Sequence, residues 1–122
     1  MPDHGEDIEP TLETEQLSAL LEAAGPEGLN EIMDAFWRST EELMSAVRQQ
    51  SATGDFENAA KTAHALKGSA SNIGAALLAN LAKAMETACR TNDQGALDAS
   101  ISDANGAVDV TKSAIEALIA TA

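Results

Sequence analysis

Apolar side chains recur at steps of three and four residues through most of the chain, with polar side chains between them. This spacing is typical of amphipathic α-helices, because a turn contains 3.6 residues and the apolar positions then share one face. On one such face, the positions predicted to point inward are Leu29, Ile32, Met33, Phe36, Thr40, Leu43 and Val47. The pattern predicts five helices, at about residues 12–24, 27–51, 55–72, 76–91 and 94–120.

Glycine, proline and aspartate mark the boundaries between these helices. Gly25 is suited to end the first helix, and Pro26 fits the first turn of the second, where no N–H is needed. Gly54 ends the second helix, and Asp55 is placed to cap the third. Gly74 ends the third helix. The links that remain are two to five residues long, so consecutive long helices are expected to lie antiparallel.

The predicted fold is therefore all-α: an up-down antiparallel four-helix bundle, with the short N-terminal helix capping one end. Composition agrees, because alanine and leucine favour helices and only 2% of the residues are aromatic. Residues 1–10 are acidic, contain two prolines and offer little to bury, so we expect a disordered tail there. Residues 11–122 are expected to form a single domain, and the tail and cap together favour a free-standing protein. We expect this protein to be a monomer.

The net charge of −13 disfavours binding to nucleic acid or to an anionic membrane, because both would repel the protein surface. No apolar run approaches the length of about 18 residues that a spanning helix needs. The acidic N-terminus is unlike a secretory signal. A single cysteine, Cys89, fits a reducing compartment. These features together predict a cytoplasmic protein.

The helix at 55–72 separates an apolar face from a polar face that contains a histidine. Successive residues turn by about 100°, which places six apolar residues together on the side facing the core: Phe56, Ala59, Ala63, Leu66, Ala70 and Ile73. The opposite side, within about 60° of the histidine, carries seven residues: Glu57, Ala60, Lys61, His64, Lys67, Gly68 and Ser71. Helical phase therefore predicts that His64 points to solvent.

Most exposed histidines have no function, but the neighbours of His64 argue for one. Gly68 costs about 1 kcal/mol relative to alanine in a helix interior, and together with Ala60 and Ser71 it leaves the histidine above small side chains. An exposed neutral imidazole is a nucleophile. Lys67, three residues on, is within reach of a group attached to that imidazole, and its charge would offset a phosphoryl group.

The stretch "HALKGSASNIGA" at 64–75 resembles the signature of histidine-containing phosphotransfer (HPt) domains of bacterial and fungal phosphorelays. The resemblance implies that His64 accepts a phosphoryl group from an aspartyl phosphate on a receiver domain, through the outer imidazole nitrogen, and passes it to another receiver. It implies response regulator receivers and a hybrid sensor kinase as partners. It also implies a carrier without cofactor, with the catalytic magnesium held by the receiver and not by this chain.

A receiver must approach His64 closely, so the residues around the histidine are expected to contact it: Ala60, Lys61, Gly68 and Ser71. Lys67 is expected to stabilise the phosphoryl charge. For Glu86, on the next helix, the resemblance implies a structural role. Arg90 is expected to pair with a residue one helical turn away.

Two alternatives from other classes remain at this stage. The first is an adaptor that binds and sequesters receivers without being phosphorylated, against which the presence of both His64 and Lys67 argues. The second is an enzyme that uses phosphohistidine, which the lack of a glycine-rich nucleotide loop disfavours. No metal site is expected, because His4, His64 and Cys89 share no ligand spacing.

Overall fold

The structure, a computed structural model, describes residues 11–121, so the acidic tail predicted at 1–10 lies outside the described residues. It contains four α-helices and no strand within that range. The helices are α1 (Thr14–Ala52), α2 (Phe56–Ile73), α3 (Ala76–Arg90) and α4 (Gln94–Ala120). The predicted boundaries of the last three helices are confirmed to within about a residue.

The first two predicted helices form one long element, α1, which is interrupted at Gly25. The backbone of Gly25 has φ 76° and ψ 171°, a conformation that residues with a Cβ rarely adopt. Pro26 follows directly, at the position where a missing N–H is tolerated. The predicted break is therefore present in the backbone. Residues 11–24, of which 14–24 are the first part of α1, are called the N-terminal segment.

Side-chain caps and glycines fix the ends of α2, as the sequence predicts. The carboxylate of Asp55 accepts a hydrogen bond of 3.2 Å from the backbone N–H of Asn58 at the start of α2. This bond and a second one from the Asn58 side chain lower the pKa of Asp55. At the other end, Gly74 adopts φ 82°, and the next N–H, of Ala75, donates to the carbonyl of Ala70 over 2.9 Å.

Successive helices pack against each other, α1 on α2, α2 on α3 and α3 on α4, and the bundle closes with sparser contacts between α1 and α4. This arrangement confirms the predicted four-helix bundle. One cluster of buried apolar side chains fills its centre, with Leu29, Leu66, Leu78, Met85 and Leu97 completely enclosed.

Two core predictions on α1 differ from the structure. Ile32 is 37% exposed, whereas it was predicted to point inward, and Met44 is buried although the predicted pattern omits it. A stripe of apolar residues on a helix is wider than the strip that its neighbours cover, so residues at the edge of the stripe are decided by packing.

The N-terminal segment covers the end of the bundle where α2 turns into α3, which confirms the predicted cap. The N–H of Glu13 donates to the carbonyl of Gly74 over 2.7 Å, and the N–H of Leu77 donates to the carbonyl of Thr11 over 3.3 Å. Leu17, within this segment, is fully buried. A Cβ at Gly74 would lie 2.6 Å from the Glu13 carbonyl oxygen, so this close approach requires glycine.

None of the helices in residues 11–121 is both long enough and apolar enough to cross a membrane.

Candidate functional site

His64 lies in the middle of α2, on the side that faces away from the core. Its side chain is 62% exposed, while Ala63 and Leu66 on either side are completely buried. The orientation predicted from helical phase is therefore confirmed. An imidazole in this position is open to a macromolecule that approaches the surface of the bundle.

Glu86, from the neighbouring helix α3, contacts the imidazole. Its Oε1 atom lies 3.2 Å from Nδ1 of His64, and its side chain is only 13% exposed. The hydrogen bond from Arg90 is the main reason that the pKa of Glu86 is lowered, and the bond to His64 lowers it further, against the opposing effect of burial. Glu86 is therefore a carboxylate at neutral pH.

An ionised carboxylate can only accept hydrogen bonds, so the proton of a neutral His64 ring is placed on Nδ1. The other ring nitrogen, Nε2, then has a free lone pair. It lies across the ring from Nδ1. The contact with Glu86 therefore favours the tautomer whose outer nitrogen, Nε2, has the lone pair.

Two cations share the Glu86 carboxylate with His64. Nζ of Lys67, one turn along α2 from the histidine, lies 3.9 Å from Oε1. Arg90, one turn along α3, donates to Oε2 from Nε over 3.1 Å and from Nη2 over 2.8 Å. The predicted pairing of Arg90 one turn away is thus confirmed. Lys67 is one-third exposed and lies beside the histidine, where a group on Nε2 would be within its reach.

Gly68 is exposed, and a Cβ at this position would meet no atom within 4 Å outside its own helical turn. Internal packing therefore does not require glycine here, and neither does the backbone, because Gly68 has no positive φ. Ser71 is also exposed on the same side of α2. Its backbone carbonyl accepts a hydrogen bond of 3.0 Å from the side chain of Gln16 in the N-terminal segment. Between His64 and the C-terminal end of α2, the exposed side therefore carries the small residues Gly68 and Ser71.

Ala60 is not part of this open surface, which corrects the expectation that it contacts a partner directly. It is 2% exposed, because it lies on the flank of α2 that also carries Lys67 and that faces α3. Its small size lets the two helices approach each other. Lys61, by contrast, is exposed as predicted, and its charge contributes to the lowered pKa of Asp55.

Sequence reasoning did not predict that Glu86 and Arg90 lie next to His64. Their four-residue spacing on one helix predicts that they pair with each other, and nothing in that spacing shows that the pair lies against His64 on another helix. The acidic residue beneath the histidine could have been found only from the packing of α2 on α3.

Cys89 is buried, and burial raises the pKa of its thiol. Within residues 11–121 no three histidine, cysteine or acidic side chains lie close enough together to hold a metal ion.

Comparisons with known proteins place the chain in a family. A family model described as Hpt domain matches residues 31–121, which include all of α2, α3 and α4. No curated protein matches the chain significantly. Among solved structures, histidine-containing phosphotransfer protein B (HptB) from Pseudomonas aeruginosa PAO1 is similar, with a TM-score of 0.79 and 25% identity over 93% of this chain and 97% of that one. The histidine-containing phosphotransfer protein MtHPt2 from Medicago truncatula has the same fold, with a TM-score of 0.77 and 20% identity over 88% of this chain and 76% of that one.

The chain belongs to the Hpt domain family. Proteins of this family are phosphocarriers in two-component phosphorelays, where they interact with response regulator receivers and kinases. The matched region begins after Gly25, so the N-terminal segment lies outside it, although this segment is docked on the α2–α3 turn.

Proposed function

We propose that this protein relays phosphoryl groups through Nε2 of His64, taking them from an aspartyl phosphate on one receiver domain and delivering them to the aspartate of another. The observation that carries this proposal is the contact between His64 Nδ1 and the Glu86 carboxylate, which leaves a bare nucleophilic nitrogen on an exposed ring. Membership of the Hpt family supports the same role.

In the forward step, the lone pair of Nε2 attacks the phosphorus of the receiver's acyl phosphate. The bond between phosphorus and the aspartate oxygen breaks, and its electron pair returns to the receiver's carboxylate. The proton on Nδ1 stays in place, and the positive charge that develops on the ring is offset by Glu86, 3.2 Å away. In the onward step, a carboxylate oxygen of the second receiver's aspartate attacks the phosphorus. The P–N bond breaks, and its electron pair returns to Nε2.

Lys67 stabilises the product of this step, because a phosphoryl group on the imidazole brings about two negative charges close to its ammonium group. Gly68 and Ser71 give the receiver clearance to approach Nε2. Lys61, exposed one turn before the histidine, adds positive charge to a protein with a net charge of −13 and faces the acidic site that a receiver presents. This role for Lys61 is secondary to that of Lys67.

The proposal extends to the partners. The donor is the receiver domain of a hybrid sensor kinase, and the acceptor is the receiver of a response regulator. The protein acts as a monomeric carrier in the cytoplasm without a nucleotide site, and the divalent cation that transfer requires is held by the receiver. The single cysteine and the strongly acidic composition support this setting.

The test is transfer of radiolabelled phosphate from a phosphorylated receiver to the purified protein. We expect label that is stable in base and labile in acid, which is the behaviour of phosphohistidine, and no label on a His64→Gln variant. Addition of a second, unphosphorylated receiver should remove the label from the protein.

Label that persists in His64→Gln would contradict the proposal. A protein that binds receivers but never takes up label from any of them would instead be an adaptor that sequesters receivers.

A further inference from the structure

We propose that Arg90 is a positioning residue that keeps Glu86 directed at His64 and so frees Lys67 to bind the incoming phosphoryl group. This inference rests on the proposed function, because it assigns Arg90 a part in the same transfer. It goes beyond the predicted surface pairing of Arg90, since it connects that pair to the reacting imidazole.

The two oxygens of the Glu86 carboxylate have different partners. Oε2 accepts both hydrogen bonds from Arg90, at 3.1 and 2.8 Å. Oε1 faces His64 Nδ1 at 3.2 Å and Lys67 Nζ at 3.9 Å. A guanidinium that binds one oxygen through two N–H groups holds the carboxylate in one orientation, and this orientation leaves the second oxygen for the histidine.

The charges around Glu86 explain why Arg90, on α3, affects whether Lys67, on α2, can bind a phosphoryl group. Before transfer, the Glu86 carboxylate has two cationic neighbours, Lys67 and Arg90, of which Lys67 is the more distant. After transfer, about two further negative charges lie on the imidazole, and Lys67 is needed there. If Lys67 were its only cationic partner, the mostly buried Glu86 carboxylate would then lose that partner just as a phosphoryl group adds negative charge nearby.

Arg90 removes this conflict, because it compensates Glu86 both before and after transfer. It reaches Glu86 from the same helix, one turn away, so its contact with the carboxylate is independent of Lys67 on α2. The hydrogen bonds that the structure gives the Arg90 guanidinium go to Glu86. Any effect of Arg90 on the imidazole is therefore expected to pass through that carboxylate.

The test compares Arg90→Met in two backgrounds, wild type and Glu86→Gln, by the rate of phosphoryl transfer from a phosphorylated receiver. We expect Arg90→Met to slow transfer about fivefold in the wild-type background, and by less than about twofold when Glu86 is already neutral, because contacting residues are coupled and non-additive. Arg90→Lys should restore part of the rate. An equal effect of Arg90→Met in both backgrounds, or no effect in either, would overturn the inference.

Lys83→Met is the matched control, because it removes the same charge from the same helix. Lys83 borders the groove between α3 and α4, away from His64. It should change the rate by less than about twofold in both backgrounds, since exposed charges away from the contact contribute little. A control effect as large as that of Arg90→Met would show that general charge, rather than positioning, is responsible.

A second measurement does not depend on transfer. In ¹⁵N NMR spectra of the unphosphorylated protein, we expect the Nδ1–H tautomer of His64 to dominate, and Arg90→Met to raise the fraction of the Nε2–H tautomer. An unchanged tautomer ratio in Arg90→Met would overturn the positioning role even if the protein is a phosphocarrier. If wild-type protein never takes up phosphate, the proposed function fails, while the NMR comparison still decides whether Arg90 positions Glu86.

Discussion

His64 and Glu86, which are 22 residues apart in the sequence, meet across the α2–α3 interface with 3.2 Å between Nδ1 and Oε1. For a neutral ring, this contact favours the tautomer with the proton on Nδ1 and the lone pair on Nε2. It also joins the imidazole to a carboxylate that two basic side chains share.

Gly68→Gln is expected to slow phosphoryl transfer while the fold remains intact. The longer side chain would hold a receiver away from Nε2, and a displacement of about an ångström costs roughly ten- to a hundredfold in rate. Because Gly68 is exposed and helical, glutamine should also raise the free energy of unfolding, by about 0.5–1 kcal/mol. Transfer kinetics and urea denaturation measure the two effects.

Gly106→Gln provides the control for this prediction. Gly106 is also an exposed glycine with open space around it, but it lies on α4, the helix diagonally opposite α2 in the bundle. It should give the same gain in stability and leave the transfer rate unchanged. Equal slowing in both variants, or none in Gly68→Gln, would show that clearance at Gly68 does not govern docking.

Lys67→Met is expected to reduce the transfer rate by roughly ten- to a hundredfold, because a hydrogen bond to a charged group contributes about 1.5–3 kcal/mol. The effect should fall on the phosphorylated state, so the phosphohistidine should also be lost faster from the variant. Binding of an unphosphorylated receiver, measured by calorimetry, should change much less. A variant with normal transfer but weakened receiver binding would assign Lys67 to docking instead.

The lowered pKa of Glu86 predicts how its contribution to stability depends on pH. A carboxyl group with a folded-state pKa below its usual value, near 4.5, stabilises the fold when ionised, and this stabilisation is lost as the pH falls through the folded-state pKa. The difference in the free energy of unfolding between wild type and Glu86→Gln should therefore shrink as the pH falls below about 5.5.

Urea denaturation of both proteins between about pH 5.5 and pH 3 measures this difference. A difference that grows as the solution becomes more acidic would mean that the interactions of Glu86 favour its protonated form, contrary to the geometry with His64 and Arg90.

Gly74→Ala is expected to destabilise the fold by more than Gly54→Ala does. Both glycines have a positive φ, near 80°, so both substitutions should cost about 1–2 kcal/mol of backbone strain. Only at Gly74 would the new Cβ also collide with a backbone oxygen, that of Glu13, whereas the space around Gly54 is open. Thermal unfolding of both variants measures this difference. Because the backbone strain is common to both, the additional loss of stability in Gly74→Ala is the cost of the collision.

Removal of residues 1–24 supplies the complementary test. If the additional cost at Gly74 comes from the docked N-terminal segment, the two alanine variants should become alike in the truncated protein. A difference of the same size after truncation would place its cause elsewhere in the α2–α3 turn.

Much of the fold and the central residue of the site could be predicted from the sequence. The helices follow from apolar spacing, and their ends follow from residues such as Gly25, Asp55 and Gly74, whose effects act within one turn of the backbone. The outward direction of His64 is likewise a local property, because it depends only on a rotation of about 100° per residue. The resemblance of residues 64–75 to the HPt signature then supplied the chemistry.

The tertiary structure alone decided what surrounds the histidine. The helical wheel assigns Ala60 to the polar side of α2. Whether it is exposed depends on which flank of α2 the next helix covers, and Ala60 is in fact buried. The contacts of His64 and Lys67 with Glu86 depend on the register between α2 and α3. The helical phase of a residue is set by the backbone of its own helix. The register between two helices is set by how side chains from both helices pack, so it cannot be predicted from the periodicity of one segment.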